Sequence, residues 1–99
     1  MSEITEEEFW NRMIEPDPFI IKDNFGMRKI WYNDQGQLHR ENDLPGEIWY
    51  DRDGNIEREY FFKKGKIHRI GAPAEIWYNR NGNIEEERWY QNGIRQRTI

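Results

Sequence analysis

The stretch Glu47-Ile-Trp-Tyr-Asp-Arg-Asp-Gly-Asn-Ile-Glu57 returns 28 positions later as Glu75-Ile-Trp-Tyr-Asn-Arg-Asn-Gly-Asn-Ile-Glu85, and this self-similarity decides the fold. Each copy is a short run of Ile, Trp and Tyr, then polar residues ending in a glycine, then a second run that begins near an Ile. Gly36, Gly54, Gly65, Gly82 and Gly93 each follow two polar residues in this way. The spacing predicts a three-residue hairpin loop, a type I turn closed by a residue at positive φ, which glycine adopts at least steric cost. With each glycine third in its loop, Tyr32 stands opposite Leu38, Tyr50 opposite Ile56, Phe61 opposite Ile67 and Tyr78 opposite Ile84. Apolar residues then face apolar residues, whereas a two-residue loop would set Tyr50 against Glu57 and Tyr78 against Glu85.

Working outward, Leu38-His39-Arg40 returns as Ile67-His68-Arg69 at an offset of 29, and Phe61-Phe62-Lys-Lys-Gly65 returns as Trp89-Tyr90-Gln-Asn-Gly93. Gln96-Arg97 stands where a third His-Arg pair would fall. Residues 27–99 are therefore β-hairpin repeats of 28–29 residues. Strand alternation gives one face Ile30, Tyr32, Ile48, Tyr50, Ile56, Tyr60, Phe62, Ile76, Tyr78, Ile84 and Tyr90, interrupted by Arg58, Glu86 and Arg88, and this is the expected core side. The other face carries an aromatic ladder, Trp31, Trp49, Phe61, Trp77 and Trp89, among Glu47, Glu57, Glu59, Glu75, Glu85 and Glu87. Upstream, residues 1–16 read as an amphipathic helix: Thr5-x-x-Glu8 is a capping box, Phe9, Trp10, Met13 and Ile14 share a stripe, and Pro16 ends it. Residues 17–26 read as an ordered connector, too apolar at Phe19, Ile20, Ile21 and Phe25 to be left in water. The expected fold is a single all-β domain, an antiparallel meander of about eight short strands with one N-terminal α-helix.

The Trp-Tyr…Gly units (Trp31-Tyr32…Gly36, Trp49-Tyr50…Gly54, Trp77-Tyr78…Gly82, Trp89-Tyr90…Gly93) occur with a His-Arg…Gly-Pro-Ala spacer. That spacer is His68-Arg69-Ile-Gly-Ala-Pro-Ala74, with a weaker copy at His39-Arg40…Leu44-Pro45-Gly46. In these residues the chain resembles MORN-type short β-hairpin repeats in the variant form of bacterial, phage and large-virus proteins. The resemblance implies scaffolding, partner binding or an antitoxin role, and implies no enzyme.

The inventory of 99 residues excludes much chemistry. There is no cysteine, hence no disulfide framework and no thiolate, and the only hydroxyls of Ser or Thr type are Ser2, Thr5 and Thr98. All three lie near the termini, so a nucleophilic triad cannot be built, and no enzyme activity is expected. Asp51, Asp53 and Asn55 alternate like the start of an EF-hand loop, but glycine stands fourth rather than sixth and Phe62 occupies the twelfth place. Tight-turn chemistry explains them instead, and neither metal nor cofactor is expected. No apolar run approaches the ~20 residues of a membrane span, and the opening Met1-Ser2-Glu3 lacks a basic leader, so a cytoplasmic protein of a bacterium or an infected host cell is expected. The net charge of −4 is concentrated in the first 18 residues, where Glu3, Glu6, Glu7, Glu8, Glu15 and Asp17 oppose only Arg12. A nearly balanced body gives no basic footprint, and nucleic acid is disfavoured as a partner.

Fifteen aromatic residues in a small charged chain point to recognition rather than catalysis, because Trp, Tyr and Arg dominate protein interfaces. The expected function is a non-enzymatic protein-binding module of an accessory protein that inhibits or neutralises another protein, as an antitoxin or an anti-defence inhibitor does. Its candidate binding residues are Trp31, Trp49, Phe61, Trp77 and Trp89. A second reading gives His39, Arg40, His68 and Arg69 a nucleotide-like anion, gripped between guanidinium and Trp, although cross-strand pairing of Arg69 with Glu59, His68 with Tyr60 and His39 with Trp31 would also account for them. A third reading is a homo-oligomeric scaffold assembled through open sheet edges.

Overall fold

The computed structural model describes Thr5, Glu6 and residues 15–96; the helix expected over 1–16 falls mostly on residues outside that set. Ten strands follow in order: β1 (Phe19–Lys22), β2 (Gly26–Ile30), β3 (Glu47–Asp51), β4 (Ile56–Tyr60), β5 (Phe62–Lys63), β6 (Lys66–Ile67), β7 (Glu75–Tyr78), β8 (Ile84–Arg88), β9 (Tyr90–Gln91) and β10 (Ile94–Arg95). All strand pairs are antiparallel. Six strands form one sheet in the order β1-β2-β3-β4-β7-β8, while β5-β6 and β9-β10 are separate two-stranded ribbons. The all-β antiparallel reading holds, with ten described strands rather than about eight.

The extra strands arise because three aromatic residues break the long runs. Trp31 gives its N–H to Gly46 O at 2.9 Å but its carbonyl accepts from His39 N at 3.1 Å; Phe61 does the same with Ala74 and His68 at 2.8 and 2.9 Å. The N–H thus serves the six-stranded sheet and the C=O serves the ribbon that follows, so the chain turns at that residue from one row of hairpins into a second. Trp89 sits at the third such junction, its carbonyl bonded by Gln96 N. Ribbons stack on one another through Gly65 N to Leu38 O, Arg40 N to Phe62 O, Gly93 N to Ile67 O and Arg69 N to Tyr90 O. The core lies at the junctions: Ile30, Trp31, Ile48, Phe61, Ala74 and Ile76 are the buried apolar side chains, with Ile67, Tyr78 and Tyr90 packed against the Phe61 group.

Two kinds of hairpin loop occur where one was expected. At Gly36, Gly54 and Gly82 the three-residue loop forms; Asp51 N–H bonds Asn55 O while Gly54 N–H returns to Asp51 O, and Asn33 and Asn79 repeat the pattern. The side chain at the first position completes it, as Asp51 Oδ1 accepts from the N–H groups of Asp53 and Asn55 at 2.9 Å each. That explains Asp and Asn there by turn capping, and the Asn55 N–H holds the Asp51 carboxyl below its usual range. At Gly65 and Gly93 the loop has two residues, with Lys64 at φ 49° and Asn92 at φ 50° ahead of the glycine. Positive φ at both central residues is the type I′ turn, whose twist matches that of the flanking strands. Ile67 accordingly pairs with Phe62, not Phe61.

Two further differences shape the surface. Residues 17–26 hold a strand, β1, and a turn in which Asp23 Oδ1 accepts from Phe25 and Gly26 N–H. Gly26 admits no side chain, since a Cβ there would lie 2.1 Å from Tyr50 O. Tyr50 does pair with Ile56, but the register then shifts so that Trp49 pairs with Arg58, and Tyr78 with Ile84 is followed in the same way by Trp77 with Glu86. Glu57 and Glu85 are the extra residues of two β-bulges. One extra residue exchanges the faces of everything beyond it, so Arg58 lies beside the Trp residues and Glu59 lies on the side of Ile48 and Ile76.

Candidate functional site

With the bulges counted, one face of the sheet carries an alternating ladder across its strands. Arg28 on β2 stands 4.7 Å from the Trp49 ring on β3, Arg58 on β4 lies 5.4 Å from Trp49 and 3.9 Å from Trp77 on β7, and Arg88 on β8 is 5.8 Å from Trp77. Each Trp is held on its other side by the Glu two residues before it. Trp49 Nε1–H donates to Glu47, and Trp77 Nε1–H donates to Glu75 Oε2 at 2.7 Å. Glu75 is buried and also accepts from Arg88 Nη1 at 2.7 Å, while Arg88 Nη2 reaches Glu86 at 2.6 Å. The Glu-Ile-Trp-Tyr repeat is thereby explained residue by residue: Glu orients the indole, Ile faces the opposite side, Trp receives a guanidinium, and Tyr pairs at the bulge. Guanidinium groups over indole rings at a half-buried surface have the composition of an interface anchor.

Beside the ladder run two open grooves, of about 820 and 290 Å³, which share Phe25 and Glu57. The larger lies between the β3-β4 and β7-β8 turns and contains Arg58, Trp77 and Ile56; the smaller contains Arg28, Trp49 and Ile21. Phe25 is 85% exposed at the crest between them. Tyr78, on the opposite side of the sheet from Trp77, donates its hydroxyl to Glu59, and burial together with that bond pushes the phenol up to about 12.

The five aromatic residues expected to form one ladder divide. Trp49 and Trp77 are half-buried on the Arg-Trp face. Trp31 and Phe61 are buried at 6% and 5% as junction residues, and Trp89, at the equivalent junction after β8, is half-buried. Arg28, Arg58, Arg88 and Phe25 were missed. The signal available was that the unshifted register left a guanidinium, Arg58, among Ile48, Tyr60 and Ile76 on an apolar face.

The two His-Arg pairs occupy equivalent structural positions. His39 Nδ1 accepts from Lys64 N–H and His68 Nδ1 accepts from Asn92 N–H, both at 2.9 Å, so each imidazole fastens the type I′ turn of the following ribbon. Because Nδ1 of His39 accepts, its proton is on Nε2, which donates to Glu41 at 2.6 Å. That bond, with one from Lys63, holds the Glu41 carboxyl below its usual range. Arg40 lies 3.7 Å over the Trp31 ring and binds Glu15 and Pro45 O; Arg69 lies 3.8 Å over the Phe61 ring and binds Asp43 and Pro73 O. The pairings are His68 with Phe61 and Arg69 with Asp43, in place of Tyr60 and Glu59. His39 does pair with Trp31.

Among the described residues, no group of three or more His, Asp or Glu side chains could hold a metal ion, and no helix is long and apolar enough to cross a membrane. The chain matches no protein-family model, no curated protein and no solved structure.

Proposed function

We propose that the protein is a non-enzymatic binding module whose Arg-Trp face and the Phe25 crest dock another protein, and that it acts by inhibiting or neutralising that partner. The observation that carries this reading is the ladder Arg28, Trp49, Arg58, Trp77 and Arg88, flanked by two grooves that share one exposed phenylalanine. Aromatic and Arg side chains held rigid in advance lose little entropy on binding, and a half-desolvated guanidinium seated over indole donates its N–H groups to a partner carboxylate. The resemblance of the hairpin units to MORN-type repeats supports the same role, as does a residue inventory with no cysteine and with its Ser and Thr confined to the ends of the sequence.

The experiment is capture of the partner from cells that naturally contain the protein, followed by affinity measurement with purified components. Trp49→Ala and Trp77→Ala with Phe25→Ala should weaken the complex by a factor of 30 or more, on the order of 2 kcal/mol. The triple variant must remain folded by circular dichroism. Unchanged affinity in that variant rules out this face as the docking site.

A further inference from the structure

Hairpins of the six-stranded sheet dock on one another by a single rule. β3 lies along the outer edge of β2 with Trp49 opposite Arg28, and β7 lies along β4 with Trp77 opposite Arg58. Each contact is locked at its end by the junction aromatic, through Trp31 N–H to Gly46 O and Phe61 N–H to Ala74 O. β8 is the third strand of this kind, yet it ends the sheet, as β1 does at the opposite side. Among the described residues no counterpart of the junction bond is made by Trp89 N–H, and Trp89 keeps the exposure that Trp31 and Phe61 have lost. β1 in turn is the first member of the series Phe19-Ile-Ile-Lys22, Glu47-Ile-Trp-Tyr50, Glu75-Ile-Trp-Tyr78. The hairpin registers place Phe19, Glu47 and Glu75 in equivalent positions, opposite Ile30, Tyr60 and Arg88.

We propose that the β1 edge of one copy pairs with the β8 edge of a second copy, continuing the sheet head to tail. Carrying the β2 to β3 register across sets Phe19 opposite Arg88, Ile20 opposite Glu87, Ile21 opposite Glu86 and Lys22 opposite Glu85. The ends are complementary in charge at Lys22 and Glu85, and the Phe19 ring falls opposite the Arg88 side chain. Pro18 stands where Gly46 and Ala74 stand, so its carbonyl meets the Trp89 N–H. Phe19, Ile20 and Ile21 are 65%, 58% and 47% exposed on an edge strand, the kind of edge that templates pairing. Two β8 edges cannot substitute, because Glu85, Glu86 and Glu87 would face their own copies. The contact joins unlike surfaces, so each added copy presents a fresh edge and assembly proceeds beyond a dimer. It shares Arg88 with the Arg-Trp face, but the strand pairing does not depend on the role proposed for that face.

The test is sedimentation velocity and equilibrium of the full chain over a concentration series. Arg88 O faces β7, where it accepts from Ala74 N, so Glu87 N–H points outward; the same alternation turns Ile20 N–H outward on β1. Glu87→Pro and Ile20→Pro each remove one outward donor and leave the internal ladders intact. The average mass of the unaltered chain should rise with concentration beyond a dimer. Each proline variant alone should stay monomeric, while their equimolar mixture, which retains one intact edge of each kind, should stop at a one-to-one dimer. Lys22→Glu, a surface change that leaves the fold alone, should weaken association about fivefold or more. A chain that is monomeric at every concentration, one that stops at a dimer, or a Lys22→Glu variant that associates as strongly as the unaltered chain overturns the proposal.

Discussion

Phe61 and Trp89 occupy the same place in successive repeats, and the consequences of truncating each to alanine should differ severalfold. Phe61 is 5% exposed and packs with Ala74, Ile76, Ile67, Tyr78 and Tyr90, with the Arg69 guanidinium 3.8 Å over its ring. Its transfer from water is worth about 1.5–3 kcal/mol, and the cavity left among neighbours fixed by two rows of hydrogen bonds brings the cost of Phe61→Ala to about 4 kcal/mol. Trp89 is half-buried, and among the described residues no hairpin packs over it. Solvent fills the space that Trp89→Ala vacates, so only part of a transfer free energy is lost, about 1 kcal/mol. Urea unfolding at low protein concentration, followed by far-ultraviolet circular dichroism, converts these figures into midpoint shifts of about 2 M and about 0.5 M at a slope of about 2 kcal/mol per molar. Since a domain of this kind has about 5–15 kcal/mol in total, Phe61→Ala should remove between about a quarter and four fifths of its stability. Equal midpoint shifts for the two variants would refute the reasoning, because they would mean that burial at the junction does not depend on a following repeat.

Three further outcomes test other elements. Lys64 at φ 49° occupies the first central position of a type I′ turn, so Lys64→Asn should raise the stability by a few tenths to about 1 kcal/mol and Lys64→Val should lower it by about 1–2 kcal/mol, both read by thermal unfolding. Arg69→Ala removes the bonds to Asp43 and Pro73 O and the cover over Phe61, and should cost about 2–3 kcal/mol; Arg69→Lys should restore little of it, since an ammonium cannot reproduce the fork. The Tyr78 phenol, pushed up to about 12 by burial and by Glu59, keeps in the folded chain a proton that the unfolded chain loses near pH 10. Its contribution is whole below pH 10 and declines as the pH rises toward 12, so Tyr78→Phe should flatten the fall in melting temperature over that interval.

The candidate site was half legible in the sequence. Trp49 and Trp77 could be named because strand alternation sets them apart from Ile48 and Ile76, but their guanidinium partners could not, because a bulge changes the parity of the strand without leaving a mark in residue spacing. Glu57 and Glu85 look like any alternating acid until the opposite strand is present to show that each is the extra residue. The His-Arg pairs were visible as a repeat, whereas their work, fastening a turn some 25 residues away, is a contact between separate ribbons.

What the sequence determined by itself are the features that depend on a few neighbouring residues: the 28-residue period, the five turns, the antiparallel hairpins and the pairs Tyr50 with Ile56 and Tyr78 with Ile84. Turn position and the pairing closest to each turn are set by backbone sterics and side-chain capping within about five residues, and those are written in order along the chain. The tertiary structure decided which aromatic residues are buried, that Phe19–Lys22 is a strand, and which side of the sheet holds Arg58. Trp31, Phe61 and Trp89 have similar local surroundings and differ in burial, because burial is conferred by the hairpin that packs next to them. Among the described residues no hairpin packs beside Trp89.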